Sequence, residues 1–127
     1  MRFLIVDDDK GWLNHHALLI KQTFSDAEIT LKDRAYKGYE EIVRHPSEYF
    51  DVILTDMQME HVDDEHFAGE WLMKKIFESQ KCQNAKIIII SGVYNIKTIA
   101  ETFNVDYISK TSLIASPLML EYKLKEL

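Results

Sequence analysis

A chain of 127 residues that is 46% hydrophobic can bury a core without disulfides or structural metals, and its one cysteine, Cys82, can form no internal bridge. Twenty-one acids against fifteen bases leave a net charge of −6, with no basic cluster to displace counterions from a phosphate backbone, so direct nucleic-acid binding is not expected. No apolar run reaches the roughly 18 residues of a membrane span and no signal-like segment opens the chain; a cytoplasmic protein without membrane contact is the expectation.

In chain order, short β-branched runs alternate with segments of helical period, the pattern of a parallel sheet covered by helices on both faces. The first strand is Arg2 to Val6, after which Asp9 suits a helix cap and Leu13, Ala17, Ile20 and Phe24 form a helical stripe. His15 and His16 are adjacent on that helix and point about 100° apart, so they do not share a metal; one is expected to pack and the other to be solvated. The second strand, Glu28 to Leu31, leads to a helix with Tyr36, Tyr39 and Val43 on its apolar face, ended before Pro46. Asp51 to Thr55 is the third strand, followed after a long acidic loop by a stripe of Ala68, Leu72 and Ile76. The fourth, Lys86 to Ile90, reads "KIIII", which needs no alternation when both faces are covered. A stripe of Ile96, Ile99 and Phe103 and a fifth strand, Asp106 to Ser109, come next. Pro117 would break a helix running from Ser112 but suits the first position of one capped by Ser116, so the last helix is expected to start late, with Leu120, Leu124 and Leu127 inward. Trp12 and Trp71 fit core or partner-surface positions.

In an open parallel sheet, residues just past the strands gather along one rim, where ligands bind. Those residues here are Asp7, Asp8 and Asp9, then Asp56, then Ser91 and Gly92, and finally Lys110. Converging carboxylates repel one another, and a hard cation with oxygen ligands, Mg²⁺, relieves that repulsion. A hydroxyl and an ammonium on neighbouring strands would donate hydrogen bonds to a tetrahedral oxyanion, and Asp56 could act as a nucleophile that carries a phosphoryl group.

The segments "FLIVDDD", "DVILTDMQM", "IIIISG" and "VDYISK", in that order, resemble the receiver domains of two-component response regulators, across nearly the whole chain. The resemblance implies an α/β, flavodoxin-like, doubly wound five-stranded sheet of order 2-1-3-4-5, with helices on both faces. It implies one receiver-like domain over residues 1–127, with no attached output domain. Asp56 would be the phosphoacceptor, Asp7 and Asp8 the acidic pair that holds Mg²⁺ with it, and the backbone carbonyl of Gln58 a further ligand. Ser91 and Lys110 would contact the phosphoryl group; Tyr107, with Ser91, would form the switch, its rotamer reporting whether the hydroxyl has been drawn to the phosphate. Gln58 and Val93 stand where this family tunes dephosphorylation.

Three departures stand out. Thr111 follows Lys110 where the family has proline in a cis peptide, and a non-proline cis bond costs roughly 2.5–4 kcal/mol, so that isomer is left open. Glu60 takes the position of a family proline, and Gly69 lies thirteen residues past Asp56 rather than the usual eight, which makes this loop about five residues longer. The stretch from Ser91 to Lys110 is correspondingly short, which predicts a trimmed fourth helix. Within the longer loop, Glu60, His61, Asp63, Asp64, Glu65 and His66 could form a specificity element with pH-sensitive histidines, or a solvated excursion whose Asp63 or Asp64 caps the next helix.

The function expected is that of a phosphoacceptor in a phosphorelay. A sensor histidine kinase or histidine phosphotransfer protein donates to Asp56 with Mg²⁺, and the altered surface binds a downstream protein that the sequence does not identify. Such a domain catalyses only its own phosphorylation and dephosphorylation. A phosphorylation-independent interaction module of the same fold is the alternative. An Mg²⁺-dependent phosphohydrolase of the haloacid dehalogenase type would need a second carboxylate two residues past the nucleophile, where Gln58 stands.

Overall fold

The computed structural model describes residues 1–59 and 68–126. Five strands, β1 (Arg2–Val6), β2 (Glu28–Lys32), β3 (Val52–Thr55), β4 (Lys86–Ser91) and β5 (Asp106–Ser109), pair in parallel in the order β2-β1-β3-β4-β5. This is the flavodoxin-like order expected from the resemblance. The register sets the rim: Val6 lies beside Lys32 and Thr55, and Ser91 beside Ser109, so the residues after these positions emerge along one edge. Val52 to Thr55 and Ile87 to Ser91 are buried, consistent with a sheet covered on both faces.

On one face, α2 (Ala35–Arg44), α3 (Ala68–Ser79) and α4 (Ile96–Phe103) pack Ile42, Leu72, Met73, Ile76 and Ile99 against Leu4, Val6, Ile53, Ile87 and Ile89. On the other, α1 (Lys10–Thr23), α5 (Lys110–Ala115) and α6 (Met119–Lys125) bring Leu13, Ile20, Leu113, Leu120 and Leu124 onto Phe3, Ile5, Leu54, Ile88 and Ile108. Asp9 caps α1, its carboxylate accepting from the Trp12 N–H at 3.1 Å. The helix α4 has eight residues, short as anticipated, and ends on Asn104 in the left-handed region (φ 54°), whose N–H returns to Ala100 O. No helix among the described residues is long and apolar enough to cross a membrane.

Two sequence expectations need correction. Of the apolar face expected for α2, Tyr39 packs half-buried against the core, but Tyr36 and Val43 are exposed, and the buried positions are Ala35, Gly38, Glu41 and Ile42. The helix lies on β1 through its smallest residue, since a Cβ on Gly38 would stand 2.8 Å from Val6 Cγ2. The chain after β5 does not wait for Pro117: α5 starts at Lys110, capped by the Ser109 hydroxyl, which accepts from the Ser112 N–H at 3.0 Å. Pro117, without an N–H to donate, falls in the break between α5 and α6, and α6 begins at Met119 rather than under a Ser116 cap.

Candidate functional site

Each acid of the site sits where a strand runs out and its backbone is pinned by the neighbouring strand. The Asp7 N–H donates to Lys32 O at 3.1 Å and the Asp56 N–H to Val6 O at 3.0 Å, so both carboxylates leave the sheet at one level. Carboxylate oxygens of Asp7, Asp8 and Asp56 lie within 4.8 Å of one another, with Asp7 and Asp56 buried and Asp8 half-buried. From the first residue of α5, 54 residues past Asp56, Lys110 places its Nζ 2.8 Å from Asp56 Oδ2 and 2.9 Å from Asp7 Oδ2. The other oxygens are also engaged: Asp7 Oδ1 accepts from the Asp9 N–H at 2.9 Å, and Asp56 Oδ1 from the Gln58 N–H at 3.0 Å.

Two buried carboxylates, Asp7 and Asp56, share the single ammonium of Lys110, with the Asp8 carboxylate beside them. Burial, reinforced by the charge of Asp56, pushes the Asp7 carboxyl up to about 6, against the opposing pull of the Asp9 N–H and Lys110. Burial draws the Lys110 ammonium down, but the hydrogen bonds and charges of Asp56 and Asp7 outweigh it and hold the amine above its ordinary value. The donor set suits a hard divalent cation. Oxygens on opposite sides of a Mg²⁺ ion are about 4.2 Å apart, so a spread of 4.8 Å needs only a small closure.

The remaining predicted residues are distributed around this centre. Ser91 is fully buried at the end of β4, its Oγ accepting from the Val93 N–H at 3.3 Å, and Val93 is buried behind it. Gln58 is exposed, and its side-chain oxygen reaches towards Gly92, 3.3 Å from where a Cβ there would stand. Tyr107 lies beside Ile89 in the sheet and packs, half-buried, on the α2–α3–α4 side. The peptide between Lys110 and Thr111 is trans. Glu60, His61, Asp63, Asp64, Glu65 and His66 lie outside the described residues. His16 is the packed histidine and His15 the exposed one, as expected.

Two residues gain significance from the structure that the sequence did not assign. A Cβ on Gly69 would stand 2.2 Å from the Asp56 carbonyl oxygen and 2.5 Å from Met57 Cα, so the first turn of α3 lies directly on the acceptor's own backbone. The displaced glycine was visible in the sequence; its contact was not. Trp12 stands with its ring centroid 5.4 Å from Lys110 Nζ. Its place in the first turn after the acidic pair was the available clue.

Comparison of the sequence with family models and with curated proteins finds no match. Solved structures do match. A CheY-like receiver domain from Methanospirillum hungatei is 25% identical, with TM-score 0.75 over 98% of this chain and 90% of that one. The receiver domain of a DNA-binding response regulator from Colwellia psychrerythraea is 18% identical, with TM-score 0.73 over 100% of this chain and 99% of that one. The chemotaxis protein CheY4 of Vibrio cholerae is 15% identical, with TM-score 0.65 over 86% and 85%.

Proposed function

Because this chain folds as a CheY-like response regulator receiver domain, we propose that Asp56 accepts a phosphoryl group from the phosphohistidine of a sensor histidine kinase or histidine phosphotransfer protein. The observation that carries the reading is the bridge of Lys110 between Asp7 and Asp56 beside Asp8. An ammonium and three carboxylates at one rim of a parallel sheet are the parts that phosphoryl transfer to an acid requires.

In this reading a carboxylate oxygen of Asp56 attacks phosphorus, the P–N bond to the donor imidazole breaks, and the imidazole leaves with the electron pair. Mg²⁺, held by Asp7, Asp8, Asp56 and the backbone carbonyl of Gln58, would supply positive charge against both the acids and the phosphoryl oxygens. The Gln58 N–H, already on Asp56 Oδ1, holds the carboxylate in orientation. Lys110 transfers one of its hydrogen bonds from Asp56 to a phosphoryl oxygen, and the Ser91 hydroxyl donates to another. Ser91 gives up its local bond from Val93, and Tyr107 on the adjacent strand follows it, which biases a two-state surface towards a downstream protein. The chain is a signalling domain of the cytoplasm that acts catalytically only on itself.

Addition of Mg²⁺ with acetyl phosphate or beryllofluoride should shift the NMR signals of Ser91, Tyr107 and Lys110, and Asp56→Asn should abolish the response. A silent wild type, or an undiminished response in the variant, refutes the reading.

A further inference from the structure

The Lys110 ammonium, bonded to two carboxylates, also lies over an aromatic ring. Its Nζ lies 5.4 Å from the Trp12 ring centroid while it bonds Asp7 at 2.9 Å and Asp56 at 2.8 Å. Trp12 is itself held firmly. Its backbone N–H is bound by the Asp9 cap, its ring meets the edge of His15 at 5.5 Å and 78°, and it lies over His16 at 5.5 Å and 33°. His16 is 1% exposed and makes no hydrogen bond through either ring nitrogen, so it acts here as a rigid apolar backing for the indole.

We propose that Trp12 is a positioning residue for Lys110, its indole face holding the ammonium at the rim of the site while leaving its donors free for a phosphoryl oxygen. The proposal rests on the phosphoacceptor reading above. The physical reason is the kind of attraction an aromatic face provides. It draws a cation through the ring quadrupole without offering a lone pair, so it desolvates and localises the ammonium without competing for its N–H bonds. A carboxylate in the same place would hold Lys110 back from the phosphoryl group, and water would let it wander. The packing also explains why a tryptophan follows the acidic pair so closely: the turn that presents Asp7 carries Trp12 to the start of α5, whose first residue is Lys110.

The test uses the whole chain and three side chains at position 12. In wild type, the Lys110 ε-methylene protons should show an upfield ring-current shift; Trp12→Leu should lose it and Trp12→Phe should keep most of it. With saturating Mg²⁺, beryllofluoride affinity should fall roughly three- to tenfold in Trp12→Leu and stay within about twofold in Trp12→Phe, the span a single cation–ring contact supports. Mg²⁺ affinity measured alone should not fall, because Lys110 competes with the metal for Asp7 and Asp56 and does not hold it. If Trp12→Leu fails to fold, Trp12→Met takes its place. Wild-type affinity in the aliphatic variant overturns the proposal; so does equal weakening in the leucine and phenylalanine variants, or a parallel loss of Mg²⁺ affinity. A wild type that binds no beryllofluoride refutes the phosphoacceptor reading and this proposal with it, whereas normal wild-type binding with an unaffected Trp12→Leu refutes this proposal alone.

Discussion

Acidification from pH 7.5 to pH 5 should weaken this fold through a single imidazole. His16 is 1% exposed, and neither of its ring nitrogens has a hydrogen-bond partner. Burial, helped by His15 and Lys110, lowers its pKa from 6.5 to about 3. Between those values the unfolded chain binds a proton that the folded chain refuses, so the stability held above pH 6.5 is lost progressively as the pH falls towards 3. At about 1.36 kcal/mol per pH unit, pH 5 removes roughly 2 kcal/mol, a sizeable part of the roughly 5–15 kcal/mol typical of a domain. Asp7 works in the opposite direction: its carboxyl is raised to about 6 from an ordinary 3.8, so the penalty of its buried charge is relieved as the pH falls through 6. The wild-type curve alone therefore mixes two effects. His16→Leu separates them, because leucine fills a similar space without titrating. Urea unfolding of both proteins at the two pH values should show the variant gaining about 2 kcal/mol on wild type between pH 7.5 and pH 5. A difference that stays constant within about 0.5 kcal/mol would mean that His16 takes up its proton in the folded state, and the reasoning would fail.

The remaining expectations concern the rim. Gly69→Ala should cost about 3 kcal/mol in urea unfolding, since its Cβ would meet the Asp56 carbonyl oxygen at 2.2 Å, and backbone on both sides leaves little room to yield; a near-neutral variant would show that α3 slides freely over the acceptor. Lys110→Met should lose about 3 kcal/mol at pH 7.5 without metal, because it strands two buried acids. Millimolar Mg²⁺ should then raise the melting temperature of that variant more than that of wild type. Mg²⁺ affinity measured by calorimetry should fall about tenfold per pH unit below pH 6, where a proton on Asp7 competes with the metal; a flat profile from pH 7 to pH 5 would place the metal elsewhere.

Much of the sheet could be read from the chain because it depends on local composition. The "IIII" of β4 and the "VILT" of β3 are buried and so carry their own signal, and Arg2–Val6 and Asp106–Ser109 fall where their β-branched and apolar residues placed them. The errors lie where tertiary packing overrides the period. The stripe on α2 was misread because Gly38, without a side chain, is invisible to a hydrophobic pattern yet is the point of contact with β1. Glu41, buried with Lys32, Arg44 and His45 around it, reads as a surface acid until its partners are brought in from β2 and the end of the helix. Ser116 and Pro117 gave a sound cap signal, but the Ser109 hydroxyl caps an earlier helix by accepting from the Ser112 N–H, and α5 starts seven residues sooner than a Ser116 cap would have allowed. The acids and Lys110 could be located by topology once the strands were known. The Trp12–Lys110 contact could not, since it depends on how α1 and α5 pack on the same face.

The bridge from Lys110 to Asp7 joins residues 103 apart in a chain of 127, and it reaches the centre of the sheet from its outermost strand. An edge strand is a natural unit of partial unfolding, with an opening energy below that of the whole domain. If β5 peels away with α5 and α6, Asp7 and Asp56 stay at the ends of β1 and β3 and lose the ammonium that bridges them. Whatever reacts with Asp56 meets a finished pocket only when the chain is closed from its seventh residue to its hundred-and-tenth.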